Sequence, residues 1–161
     1  SWVVKPNATQ QTPPGYEIEI QGNAAVVQLR NSMPKHAALF TAENQLGIQG
    51  DSGAVRVAHV PVRIQGGKTY EFGALVLHDF KPKRESVTFV LRIEWDHGEA
   101  SEKIFQITPK DEQPQFYKFS AQAPAQAATA RAVLAIPDLA RGAEEPVFVT
   151  LRTDDWSLKE K

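Results

Sequence analysis

The chain has 161 residues, 42% of them hydrophobic and 23% charged, which suits one globular domain and neither a fibrous repeat nor a disordered segment. Eighteen Lys and Arg against nineteen Asp and Glu leave a formal charge of -1, too weak a field to hold a nucleic-acid backbone or an anionic membrane. The absence of cysteine excludes disulfides, thiolate metal sites and cysteine catalysis, and no apolar run reaches the roughly 20 residues that span a bilayer.

Short runs of β-branched and aromatic residues with a period of two recur along the chain, separated by Gly, Pro, Asn and Asp. Residues 16–20 alternate as Tyr, Glu, Ile, Glu, Ile, and the turn signal Gly22-Asn23 predicts that 24–30 returns as their hairpin partner. Residues 31–53 are rich in Gly, Asn and small side chains, and are expected to be mostly loop with short strands at 37–40 and 45–48. A connection of that length either faces a ligand or serves as a crossover. Next come a strand at 55–64, a turn at Gln65-Gly66-Gly67, a strand at 68–77, and a loop at 79–85 carrying the basic run Lys81-Pro82-Lys83-Arg84.

The clearest strand is 86–95, where Val87, Phe89, Leu91, Ile93 and Trp95 share one face and Thr88, Val90, Arg92 and Glu94 the other. Asp96-His97-Gly98 closes it, and strands at 102–108 and 116–121 follow, separated by a charged loop at 109–114. The Ala-rich stretch 123–135 tempts a helix assignment, but Pro124, Pro137, Val133, Leu134 and Ile136 favour a strand at 129–136. A last pair, 147–152 and 156–159, flanks a bend at Thr153-Asp154-Asp155. Nine to eleven strands at this spacing predict an all-β fold, a two-sheet antiparallel β-sandwich formed as a single domain over residues 1–161.

Three segments in order carry a family resemblance. Val60-Pro-Val-Arg-Ile-Gln-Gly-Gly-Lys-Thr-Tyr-Glu-Phe-Gly-Ala-Leu-Val-Leu77, Gln115-Phe-Tyr-Lys-Phe-Ser-Ala-Gln-Ala-Pro124 and Val149-Thr-Leu-Arg-Thr-Asp-Asp-Trp-Ser-Leu158 together resemble carbohydrate-binding modules of the family 4, 9, 16 and 22 type. The resemblance covers the last two-thirds of the chain. It implies a jelly-roll sandwich that binds a polysaccharide or oligosaccharide without transforming it. Such a module is an accessory domain beside other domains of a secreted or cell-surface protein. It also implies a structural Ca²⁺, with Asp155 as its ligand. The strand position that is commonly Trp in these modules is Leu75 here, and their usual opening, an Asn followed by Phe-Glu, is not found before Trp2.

A sugar site needs flat aromatic faces against sugar C–H surfaces and planar polar side chains for the hydroxyls. Arg92 and Glu94, two apart on one strand face, can meet Lys118 and Asp79 if the sheet order follows the family. The same pattern also suits a solvated face with cross-strand ion pairs. Phe116 is expected to be exposed, and Trp95 is either a ligand contact or a core residue at the sheet edge. Tyr70, Phe72 and Trp156 are expected in the core. An enzyme is not indicated. His36, His59, His78 and His97 have no metal-ligand spacing, and Gly67-Lys68-Thr69 lacks the first glycine of a phosphate loop, Val62 standing in its place.

Overall fold

The computed structural model describes residues 3–4, 16–29, 45–79, 86–107, 115–139 and 149–161. The period of two sets the architecture throughout. In β8 (Val87–Trp95), Val87, Phe89, Leu91, Ile93 and Trp95 are buried, while Arg92 and Glu94 on the other face are half-exposed. In β11 (Thr129–Ile136), Ala130, Ala132, Leu134 and Ile136 enter the same core, so the Ala-rich stretch is strand, as its prolines and β-branched residues require. In β2 (Tyr16–Gln21), Tyr16, Ile18 and Ile20 are half-buried and Glu17 and Glu19 exposed.

Strands with one apolar face must cover it, and two antiparallel sheets packed face to face do so here. The front sheet runs β1 (Val3–Val4), β3 (Ala24–Leu29), β4 (Gln45–Gly50), β12 (Val149–Glu160), β7 (Thr69–Asp79) and β10 (Gln115–Gln122). The back sheet runs β2, β5 (Ala54–His59), β11, β8 and β9 (Ser101–Ile107), with β6 (Val62–Arg63) also paired to β11. Among the described residues there is no helix. The fold is a β-sandwich of jelly-roll type. Its interior holds Ile48, Phe72, Phe89, Leu91, Leu134 and Leu151, all fully buried, and Tyr70 and Phe72 lie there as expected.

The expected hairpin of 16–20 with 24–30 does not form. β2 pairs with β5 in the back sheet and β3 with β4 in the front sheet. Ile18 and Ile20 face the interior from one sheet and Ala24 and Val26 from the other, so the Gly22-Asn23 turn crosses between layers. A second crossing, from Gly50 to Gly53, runs beside it, and Asn23 Nδ2 donates to Asp51 Oδ1 at 2.7 Å. The two crossings touch backbone to backbone. A Cβ on Gly53, whose φ is +99°, would stand 2.0 Å from the Gln21 carbonyl oxygen.

Two further boundaries differ. The expected strand 55–64 divides into β5 and β6 at Val60-Pro61, where proline offers no ladder N–H. The expected pair 147–152 and 156–159 is one strand, β12, with a bulge between Asp154 and Ser157. The bulge resets the alternation, so Thr153 and Leu158 both face inward although five residues apart. The expected strand at 37–40, Trp2, and the basic run at 81–84 lie outside the described residues.

Candidate functional site

The sequence-nominated residues divide between the two sheets. Arg92 and Glu94 stand on the outer face of the back sheet, on β8, opposite Val133 and Arg131 of β11. Lys118 and Phe116 belong to β10, an edge of the front sheet, and Asp79 ends β7 in that same sheet. The expected meeting of Arg92 and Glu94 with Lys118 and Asp79 is therefore corrected: the hydrophobic interior lies between them. Only the strand order, set by long-range pairing, decides this. The Asp79 and Asp155 side chains lie outside the described residues; by backbone, Asp155 falls in the bulge of β12. Among the described residues no group of three or more His, Cys, Asp or Glu converges on one point.

Trp95 belongs to the core. It is 7% exposed, packs beside Tyr70 with ring centroids 6.3 Å apart, and donates its Nε1–H to Ser101 Oγ at 3.1 Å. Its parity with Phe89, Leu91 and Ile93 turns the ring between the sheets, away from both outer faces.

The back face is a ladder of ion pairs. Arg92 Nε donates to Glu102 Oε2 at 2.9 Å, and the same guanidinium stands 3.7 Å from Glu94. Arg56 donates to Glu94 and lies 3.9 Å from Glu19, while Arg131 holds Glu17 through two bonds of 2.5 and 3.2 Å. To reach Glu94 on β8 from β5, Arg56 crosses β11, whose outward Val133 and Ala135 are buried with Ala58 and Val90. Snorkelling of this kind covers small apolar residues with an aliphatic stem and leaves the charge at the surface. Beside it opens a shallow groove of about 220 Å³, bordered by Glu19, Gln21, Arg56, Arg92 and Pro137. Among the described residues this groove has planar polar groups and no aromatic ring.

The front face differs in chemistry. Phe116 is 49% exposed, and its ring lies over Gly73 of β7: a Cβ there would stand 2.3 Å from Phe116 Cε1. Gly73 pairs with Lys118 on one side and Ser157 on the other, and Leu75 pairs with Phe116. The position held by Trp in the modules that the sequence resembles is thus filled by Leu75, buried, and directly across from it the neighbouring strand supplies an open ring. Glycine at 73 lets that ring settle on the sheet. The sequence pointed to Phe116 by its parity but gave no sign of Gly73, because the two are 43 positions apart and meet only through the β7–β10 register.

A third opening lies between the sheets, where the paired length of β4 ends beside β12. It is a cleft of about 260 Å³ lined by His59, Val62, Arg63, Ala132, Trp156, Ser157 and Leu158. Trp156 is half-buried, in edge contact with Tyr16 at 5.6 Å and Phe72 at 5.5 Å. Its Nε1–H is committed to Thr153 Oγ1 at 2.8 Å, and that hydroxyl in turn donates to the Leu75 carbonyl at 3.0 Å. Four strands contribute to this cleft, so no local pattern in the sequence announced it.

Neither a protein-family model nor a curated protein matches the chain by sequence. Solved structures match by shape. A family 61 carbohydrate-binding module in complex with β-1,4-galactotriose superposes with a TM-score of 0.57 at 11% identity, over 92% of this chain and 90% of that one. The chain has the fold of carbohydrate-binding modules. A family 16 carbohydrate-binding module matches with a TM-score of 0.51 at 14% identity, over 86% of each chain. The CBM22-1 and GH10 modules of a Clostridium thermocellum endo-1,4-β-D-xylanase, complexed with xylohexaose, match at 0.52 and 12% identity. There 91% of this chain covers 26% of the other. Among the described residues no helix is long and apolar enough to cross a membrane.

Proposed function

We propose that this chain is a non-catalytic carbohydrate-binding module of a larger secreted or cell-surface protein that acts on polysaccharide, and that the glycan lies on the front sheet across Phe116. The observation that carries the reading is the Phe116 ring, half-exposed and seated on Gly73 of β7, a strand paired on both sides. An exposed aromatic on a sheet presents a flat apolar face to sugar C–H groups, and Lys118 beside it is placed to hydrogen-bond hydroxyls. The shared fold with modules solved in complex with oligosaccharides supports the class, and the exposed ring supports the front sheet as the binding surface. Isothermal calorimetry against a panel of soluble polysaccharides tests it. Binding to at least one glycan, weakened by Phe116→Ala with the thermal transition retained, is the expected result. Silence across the panel favours instead a structural or protein-interaction sandwich with no sugar site.

A second reading places the glycan in the back-face groove, because Arg56, Arg92, Glu94 and Glu19 offer several planar polar groups on one rigid face. It predicts that Arg92→Ala or Glu94→Ala abolishes binding while Phe116→Ala leaves it unchanged.

A further inference from the structure

The cleft between the sheets has a different chemistry from either outer face. Its inward-facing walls are Val62, Ala132, Leu158 and the Trp156 indole, with the His59 imidazole beside them. Arg63 and Ser157 border it from outward positions of their strands, opposite Thr129 and Gly73. Few polar atoms of the inward wall are open to a ligand. Trp156 Nε1–H already bonds Thr153 Oγ1. His59 Nδ1 lies 2.8 Å from the Val60 carbonyl, which can only accept, so Nδ1 donates there, and the tautomer that makes this bond presents Nε2 as its one acceptor.

At about 260 Å³ the cleft falls below the roughly 300–1,000 Å³ of drug-sized sites, so it has room for one small ring and not for a chain of sugars. With Arg63 and Ser157 only at the outward border, a hexose would bring several hydroxyls against an inward wall that answers few of them, and buried hydroxyls without partners disfavour binding. A flat apolar ring with a single O–H donor matches both the inward walls and the one acceptor that their side chains offer. We propose that this cleft is a binding site for a small phenolic ring, independent of the glycan surface.

The test uses the whole chain with 4-methylphenol, toluene and methyl β-D-glucopyranoside as probes, read by amide chemical shifts in NMR and by tryptophan fluorescence. Saturable shifts at His59, Ala132, Trp156 and Leu158 with 4-methylphenol are expected, with toluene and the glucoside weaker by about tenfold or more. Ala132→Leu fills the cleft and should abolish the response, and His59→Phe should equalise 4-methylphenol and toluene. No saturable shift in the wild-type chain overturns the proposal, as does binding that persists in Ala132→Leu. Equal binding of the glucoside overturns the phenolic class. The wild-type titration needs no variant to fold, and glycan binding at Phe116 stands or falls separately.

Discussion

Replacing Gly73 by Ala tests the front-face platform without touching the ring itself. The added Cβ would lie 2.3 Å from Phe116 Cε1 and 3.0 Å from Cζ, closer than packed atoms come, so the ring must leave. It can do so cheaply, because the obstructed atoms are the end of a half-exposed side chain on an edge strand. With Phe116 at 49% exposure, roughly half of the ~150–250 Å² of an aromatic residue is open, about 100 Å². A sugar face covering about half of that buries about 50 Å², worth about 1.2 kcal/mol at ~25 cal/mol per Å², or close to tenfold in Kd. Gly73→Ala and Phe116→Ala should therefore each weaken glycan binding by about tenfold, and the double variant no more than either alone, since both remove one platform. Stability should move little: alanine gains about 0.5–1 kcal/mol over glycine in a strand, and the lost ring contact offsets it. Calorimetry on the four proteins of the cycle, with thermal denaturation alongside, measures all of this. Additive losses, or a Gly73→Ala variant that binds like the parent, would refute the platform.

At the crossing between layers the same substitution has the opposite cost. Gly53→Ala sets a Cβ 2.0 Å from the backbone oxygen of Gln21 at a φ of +99°, where no side chain can swing aside. It should cost about 3 kcal/mol or more in urea denaturation, with m unchanged; a loss below 1 kcal/mol, on the order of a surface substitution, would contradict the packing of the two crossings. On the back face, Glu94→Gln removes the shared partner of Arg56 and Arg92 and should lower stability by about 0.5–1 kcal/mol at low salt, a difference that narrows in concentrated salt. Asp96 gives a pH signature. Its carboxylate accepts the Ala128 N–H at 2.8 Å, which holds the carboxyl below its ordinary value of 3.8. A depressed folded value means that the stabilisation is present above 3.8 and lost as pH falls through the folded value. The gap in Tm between the parent and Asp96→Ala should accordingly be open at neutral pH and close below 3.8, and a gap independent of pH would remove the role assigned to that bond.

Much of the architecture was legible from residue order. Alternation in 86–95 and 129–136 marks which side chains face the core, because each pleat turns successive Cβ atoms to opposite faces wherever the strand pairs. It likewise placed Phe72 and Tyr70 inside and Phe116 outside. Alternation carries no information about which strand lies beside which. The reading of Gly22-Asn23 as a hairpin failed for that reason: two alternating runs across a glycine turn suit one sheet or two facing layers equally, and the partner Gly50–Gly53 crossing that decides the matter is some 30 residues on.

What residue order determined by itself is which side chains of the regular strands face outward or inward, since that depends only on the local pleat, the bulge of β12 excepted. Tertiary structure alone decided their company: Arg92 and Glu94 among the ions of one face, Phe116 on Gly73 across from Leu75 on the other, His59 near Trp156 in the gap between. Apart from the pairs of Arg92 with Glu94 and Glu102, which are local to β8 and β9, these meetings join strands far apart in the chain, and their pairing is chosen by burial summed over both layers, a quantity that no short stretch of sequence contains.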